Sequence, residues 1–307
     1  MEMMSSISGD SLTPLAAGFA DFIGRLAVKL GSSGEAAAAA KEAAKECIAA
    51  LADGHVCIEL KSLARATGRN ADEIKLLLAG SGVVSSGGDG PRLPLILDDE
   101  GRIYLCRYYD YERELAALLA ARVNDLRPGS LSAEARMFIE KRFADNAGRL
   151  SGRPDWQKIA VVKAMTSPLA IISGGPGTGK TTIITTLIAA LSMNDPLPRI
   201  ALAAPTGKAA ARMEDSIRRQ LDTLDPDIRE RLPMRASTIH MLLGARPESD
   251  EFRHNRENPI PYDLVVVDEA SMIDLSLAAR LFSALPQEAG VVLLGDKDQL
   301  AAVEAGA

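Results

Sequence analysis

Apolar residues return at helical spacing from Pro14 to Leu30, with Phe19, Phe22, Ile23 and Leu26 on one side of the predicted helix. Gly31-Ser32-Ser33-Gly34 breaks that pattern, and an Ala-rich helix follows from Glu35 to Asp53, stopped by Gly54. Two short helices are expected at Ser62–Gly68 and Ala71–Ala79, then a Gly/Ser-rich turn region from Gly80 to Gly90. Leu93–Leu97 and Ile103–Tyr108 read as short strands, and Tyr109–Asn124 returns to helix. Arg127-Pro128-Gly129-Ser130 predicts a hinge, with a helix beyond it at Ser132–Ala144.

After Arg149 the pattern changes to continuous apolar runs alternating with helical segments. The runs are Leu169–Ser173, Ile200–Ala204, Leu264–Val267 and Val291–Leu294. Strands that are apolar on both faces, each followed by a helix, predict an α/β domain with a parallel sheet covered on both sides. Asp250–Pro261 is polar and proline-containing and is expected as a loop or disordered insertion.

Composition adds limits. With 307 residues, 47% hydrophobic and 25% charged, the chain is long enough for two domains and a sizeable core. Its net charge is −6, and residues 1–113 hold 12 Lys and Arg against 16 Asp and Glu, while residues 114–307 hold 23 against 25. Neither part is basic, so a nucleic-acid partner has to be argued from local motifs. Cys47, Cys57 and Cys106 show no ligand spacing, which predicts reduced thiols and no zinc site or disulfide framework. The N-terminus lacks a basic flank and a signal-type apolar core, and no apolar run approaches a membrane span. A cytoplasmic location without membrane contact is expected.

The strongest chemical signal follows the Leu169–Ser173 strand directly. Gly174, Gly175, Pro176, Gly177, Thr178 and Gly179 lead into Lys180, Thr181 and Thr182, where a helix begins. Glycines let successive backbone N–H groups turn inward onto phosphate oxygens, and the helix N-terminus adds its positive end. Lys180 reaches the β- and γ-phosphates, and the Thr181 hydroxyl is a ligand for Mg²⁺. A nucleoside triphosphate with Mg²⁺ is therefore expected. A second strand ends in Asp268-Glu269, placing Asp268 to hold Mg²⁺ and Glu269 to orient or deprotonate the attacking water. A pair of solvated helix-start acids is the plainer reading of the same residues. A third strand ends in Gly295-Asp-Lys-Asp-Gln299, where Gln299 either senses the γ-phosphate or is a solvent-exposed turn residue.

These segments, with Ala204-Pro-Thr-Gly207-Lys208-Ala-Ala-Ala-Arg212, Ser237-Thr238-Ile239-His240 and Asp268-Glu269-Ala-Ser-Met272, run in the order of motifs I to III of a superfamily 1 helicase. The wording resembles the RecD family from about residue 154 to residue 307. The resemblance implies a RecA-like P-loop domain preceded by a small, mostly helical N-terminal domain. The implied division is 1–113 as a partner-docking domain, 114–153 as linker and helices, and 154–307 as the ATP-binding domain. It assigns Gln157 to the adenine, and Thr206, Lys208, Arg212, Thr238 and His240 to single-stranded DNA. A hydroxyl, cations and backbone N–H groups in such loops suit phosphodiesters. His240 is equally readable as a satisfied structural histidine, and Tyr108, Tyr109 and Tyr111 as packing rather than base-stacking residues.

The same resemblance implies ATP-dependent 5′–3′ unwinding of DNA in double-strand break repair and recombination. The implied setting is a heterotrimer of the exodeoxyribonuclease V type, with RecB- and RecC-type subunits. Motifs IV to VI, on a second RecA-like domain, would follow motif III, so unwinding is not expected of residues 1–307 alone. Two other readings stay open: a clamp-loader or AAA-type ATPase, and a nucleotide-binding module whose role is docking.

Overall fold

The computed structural model describes residues 14–88, 90–123, 131–193, 196–221, 226–229, 232, 235–246, 249–296, 298 and 305–306. Two compact units emerge: residues 1–113 with 303–307, and residues 114–302. The hinge expected at 127–130 lies outside the described residues. Among those described, no helix is long and apolar enough to cross a membrane.

The first unit contains α1 (Pro14–Lys29), α2 (Gly34–Ala52), β1 (Cys57–Glu59), α3 (Leu60–Thr67), α4 (Ala71–Ala79), β2 (Val84–Ser86), β3 (Leu95–Leu97) and β4 (Arg102–Leu105). It also holds the start of α5 (Cys106–Val123). Its sheet has the order β1-β4-β3-β2, antiparallel except for the β2–β3 pair. The unit is mostly helical, but the strand content exceeds the sequence expectation. β2 forms inside the expected turn region 80–90, and the strand expected to reach Tyr108 gives way to helix at Cys106. Tyr109 explains part of this: its hydroxyl accepts from the Gly88 N–H at 2.9 Å, and a Cβ on Gly87 would collide with that oxygen. Tyr104 is buried and meets Tyr109 edge to face at 5.4 Å, so these rings pack within the unit. The cysteines are free; Cys47 is buried, and burial pushes its thiol far up.

The second unit contains the rest of α5, then α6 (Ala133–Arg142), α7 (Asn146–Leu150), α8 (Trp156–Thr166), β5 (Leu169–Ser173), α9 (Lys180–Leu191), β6 (Ile200–Ala204), α10 (Gly207–Leu221), α11 (Pro226–Arg229) and β7 (Ala236–Thr238). It closes with α12 (Ile239–Leu243), β8 (Ala245–Arg246), β9 (Ser249–Phe252), β10 (Leu264–Val267), α13 (Leu275–Ser283) and β11 (Gly290–Gly295). Its sheet is parallel with the order β5-β11-β10-β6-β7. Successive strand side chains point to opposite faces, and the cores divide accordingly. Leu202, Leu264, Val266, Val292 and Leu294 join the core under α6, α8, α9 and α10. Ala201, Ala203, Val265, Val267 and Val291 join the core under α12 and α13. β10 is buried at every residue, as a central strand covered on both faces requires.

Two expectations are corrected. Residues 114–153, expected as linker and helices, pack into this unit where they are described: Ala135, Ile139 and Phe143 are buried in one core, and Leu115, Leu118 and Leu119 pack on the other. The buried Arg122 donates to the carbonyls of Ala289 and Pro286 at 2.6 and 2.9 Å, fixing the end of α5 to the turn before β11. The segment 250–261 is not all loop, because β9 pairs antiparallel with β8 and the Asn255–Asn258 turn closes on itself.

The entries of β6 and β10 are tied by Asp263, which accepts from the Arg199 N–H at 2.7 Å and from its guanidinium at 2.9 and 3.2 Å. The side-chain bond from Arg199 holds the Asp263 carboxyl below the ordinary carboxylate range. At the other side of the sheet, β5 is the edge strand among the described residues. Ile171 in its middle is 70% exposed and Trp156 of α8 is 72% exposed, lining a shallow apolar hollow along that edge with Ile159.

Candidate nucleotide and DNA site

The phosphate loop is built by the passage from β5 to α9. Gly177 and Gly179 have φ of 76° and 89°, the left-handed region where a side chain is strained. Gly174 is needed for room: a Cβ there would lie 2.6 Å from Thr178 Oγ1, which itself donates to the Gly175 carbonyl at 2.8 Å. The Gly174 N–H donates to the Gly295 carbonyl at 3.0 Å, joining the loop to the end of β11. Pro176 and Thr178 are exposed on the outer side of the loop.

Gln157 stands in the first turn of α8. Asp155 caps that helix by accepting from the N–H groups of Gln157 and Lys158, each at 3.1 Å. The Gln157 side chain donates from Nε2 to the Thr178 carbonyl at 2.8 Å, and a Cβ on Gly179 would collide with it. This residue, expected as an adenine reader, here also latches the loop between β5 and α9.

Lys180, Thr181 and Thr182 open α9 and line a groove of about 330 Å³ whose opposite wall carries Asp268 and Glu269. The sheet order puts β11 between β5 and β10, so the acids approach from two strands away. The Asp268 N–H donates to the Ala203 carbonyl at 3.0 Å, and its Oδ1 accepts from the Glu269 N–H at 2.9 Å. Burial raises the Asp268 carboxyl; the Glu269 N–H opposes that, the Glu269 charge adds to it, and Lys180 opposes it. Glu269 has φ of 54°, and its buried Oε2 has no hydrogen-bond partner among the described residues. A strained backbone carrying an orphaned carboxylate oxygen marks a place made for a further group.

The donors fit Mg²⁺ with a nucleotide. A threonine hydroxyl and a carboxylate are hard oxygen ligands, and Mg²⁺ commonly takes one or two carboxylates plus substrate phosphates. Among the described residues no three His, Cys, Asp or Glu side chains cluster as a metal cage.

The remaining expected residues divide. Thr206 and Lys208 are exposed at the start of α10, where Thr206 Oγ1 accepts from the Ala209 N–H at 3.2 Å. Thr238 caps α12, accepting from the Met241 N–H at 3.1 Å, and pairs across the sheet with Ala204. The ends of β6 and β7 therefore bring these two segments to one rim. His240 is exposed, with its ring 5.8 Å from Phe252 of β9. Arg212, expected in the loop after β6, lies instead in the second turn of α10 and lines the phosphate groove. Gln299 lies outside the described residues. One residue was missed: the buried Asp296 places Oδ2 3.7 Å from where a Gly175 Cβ would stand. Its position just after an apolar strand, like that of Asp268, was the available signal.

The family described as AAA domain matches residues 157–305. The RecBCD enzyme subunit RecD of Mycobacterium tuberculosis is 39% identical over 296 residues, covering 92% of this chain and 48% of that protein. The same-named subunit of Haemophilus influenzae is 41% identical over 215 residues, covering 67% and 33%. The ATP-dependent RecD2 DNA helicase of Deinococcus radiodurans is 36% identical over 216 residues, covering 67% and 25%. The chain spans about half the length, or less, of these curated relatives.

Proposed function

The chain belongs to the RecD family, and from that premise we propose that it is the ATP-binding part of an ATP-driven DNA helicase subunit. The observation that carries the reading is the groove that gathers Lys180, Thr181, Asp268 and Glu269 around a glycine loop. Loop N–H groups and Lys180 bind the triphosphate, and Mg²⁺, held by Thr181 and Asp268, would neutralise phosphate charge when bound. Glu269 takes the proton of the attacking water, and Gln157 keeps the loop in its phosphate-ready shape besides facing the base. Asp296 closes the groove beyond the end of β11, and Gln299 senses the γ-phosphate.

Single-stranded DNA lies along the rim formed by Thr206, Lys208, Thr238 and His240, held through its phosphates. Motion of 5′–3′ polarity requires a second RecA-like domain closing over the nucleotide and supplying arginine. The named relatives favour a working assembly with RecB- and RecC-type subunits, in which residues 1–113 serve docking and the complex acts in double-strand break repair and recombination in the cytoplasm.

Equilibrium nucleotide binding with Mg²⁺ tests the reading in residues 1–307 and in Lys180→Ala, each with and without single-stranded DNA. The expected result is ATP binding by the wild type, its loss by at least tenfold in the variant, and a shift of affinity when DNA is added. Equal binding by the two proteins would sink the assignment.

A further inference from the structure

Arg212 stands on the wrong element for a DNA loop and on the right one for a nucleotide. On α10, Ala210, Met213, Ile217 and Leu221 are buried and fix the face turned to the sheet. Arg212, Ser216 and Gln220 are spaced four apart, which makes one stripe on a helix, and all three line the phosphate groove. Two other α10 cations are engaged: Arg218 pairs with Glu214 at 2.9 Å, and Arg219 donates to the Asp215 carbonyl at 3.3 Å. Arg212 makes no ion pair or hydrogen bond among the described residues. Its i±4 neighbours are Lys208 and Ser216, and Asp215 at i+3 forms no ion pair with it among the described residues.

Charge and direction then agree. Lys180 and Arg212 face Asp268 and Glu269 across the groove, a balanced set that a magnesium triphosphate, still carrying negative charge, leaves short of cations. α10 follows β6, the strand next to β10 on the side away from β5. Arg212 therefore reaches the groove from the β6 side of the acid pair, and a nucleotide bound through Lys180 would extend its terminal phosphate toward that pair.

We propose that Arg212 is a nucleotide-specificity residue that binds the terminal phosphate of ATP, an arginine supplied by this unit itself rather than a DNA contact. The inference rests on the nucleotide reading of the groove. It gives the first two turns of α10 two tasks: Thr206 and Lys208 at its start meet DNA, and Arg212, about 6 Å beyond Lys208 along the axis, meets the phosphate that hydrolysis removes.

The test is direct binding of fluorescent ATP and ADP analogues, with Mg²⁺, to residues 1–307 as wild type, Arg212→Ala, Arg212→Lys and Lys180→Ala. Single-stranded DNA binding without nucleotide is measured on the same proteins, with circular dichroism to establish that each is folded. Loss of a charge-assisted contact predicts that Arg212→Ala lowers the ATP-to-ADP affinity ratio by about ten- to a hundredfold. Arg212→Lys should fall between, since a point cation replaces a fork. A ratio unchanged in Arg212→Ala while Lys180→Ala loses both nucleotides overturns this inference and leaves the site reading standing. A tenfold loss of DNA affinity in Arg212→Ala with an unchanged ratio returns the residue to the DNA rim. A wild type that binds neither nucleotide overturns the site reading and this inference together.

Discussion

Gly179 does two jobs at one atom: its φ of 89° shapes the phosphate loop, and the missing Cβ leaves room for the Gln157 amide. A left-handed non-glycine residue costs about 1–2 kcal/mol, and the collision adds to that only while Gln157 is present. Gly179→Ala should therefore weaken ATP binding by at least about tenfold (~1.4 kcal/mol), and by less in a Gln157→Ala background. A four-protein titration cycle checks this; equal losses in both backgrounds would show that the latch does not press on the loop. At this scale the sequence was legible wherever chemistry dictates spacing. That Lys180, Thr181, Asp268 and Glu269 share one groove was legible because a glycine loop and a strand-end acid pair have few other uses. The Gln157 latch was not, because nothing in linear order states that its amide will meet a carbonyl 21 residues later. Arg212 was misplaced for a related reason: Pro205-Thr206 look like loop, and only the start of α10 at Gly207 shows that the residue rides a helix.

Elements were readable in proportion to their length and coverage. β6, β10 and β11 are apolar on both faces because helices cover both, so periodicity was not needed to find them. β1, β2 and β3 have three residues each, too few for alternation to register, and β8 and β9 exist only because they pair with each other. α5 is the case where pattern located the helix and missed its allegiance. Its Arg122 is buried and donates to two carbonyls in the turn before β11, which no hydrophobic count reveals. Arg122→Ala should lower the stability of the second unit by on the order of 3 kcal/mol, since two charge-assisted bonds go and two carbonyls lose their donor. Arg122→Lys, with a single ammonium, should recover part of it. Urea unfolding followed by circular dichroism measures both, and a loss below about 0.5 kcal/mol, the range of ordinary surface substitutions, would show that water replaces the guanidinium.

Across the whole molecule, the first unit is built on its own core and the second on two, one on each face of its parallel sheet. The pattern changes from mixed short elements to strand–helix alternation only after Arg149, whereas the units divide at residue 113, because packing partners more than a hundred residues away leave no local trace. β5 presents a row of backbone groups at the sheet edge, with Ile171 and Trp156 exposed beside it, and such an edge is a template for pairing between molecules. Net charge of −6 keeps copies apart at neutral pH, but the isoelectric point near 5.3 removes that repulsion. Solutions of this chain should therefore turn turbid most readily near pH 5.3, and light scattering across pH should show Ile171→Lys narrowing that range. The strand that starts the phosphate loop thus also limits how the protein can be handled in solution near its isoelectric point.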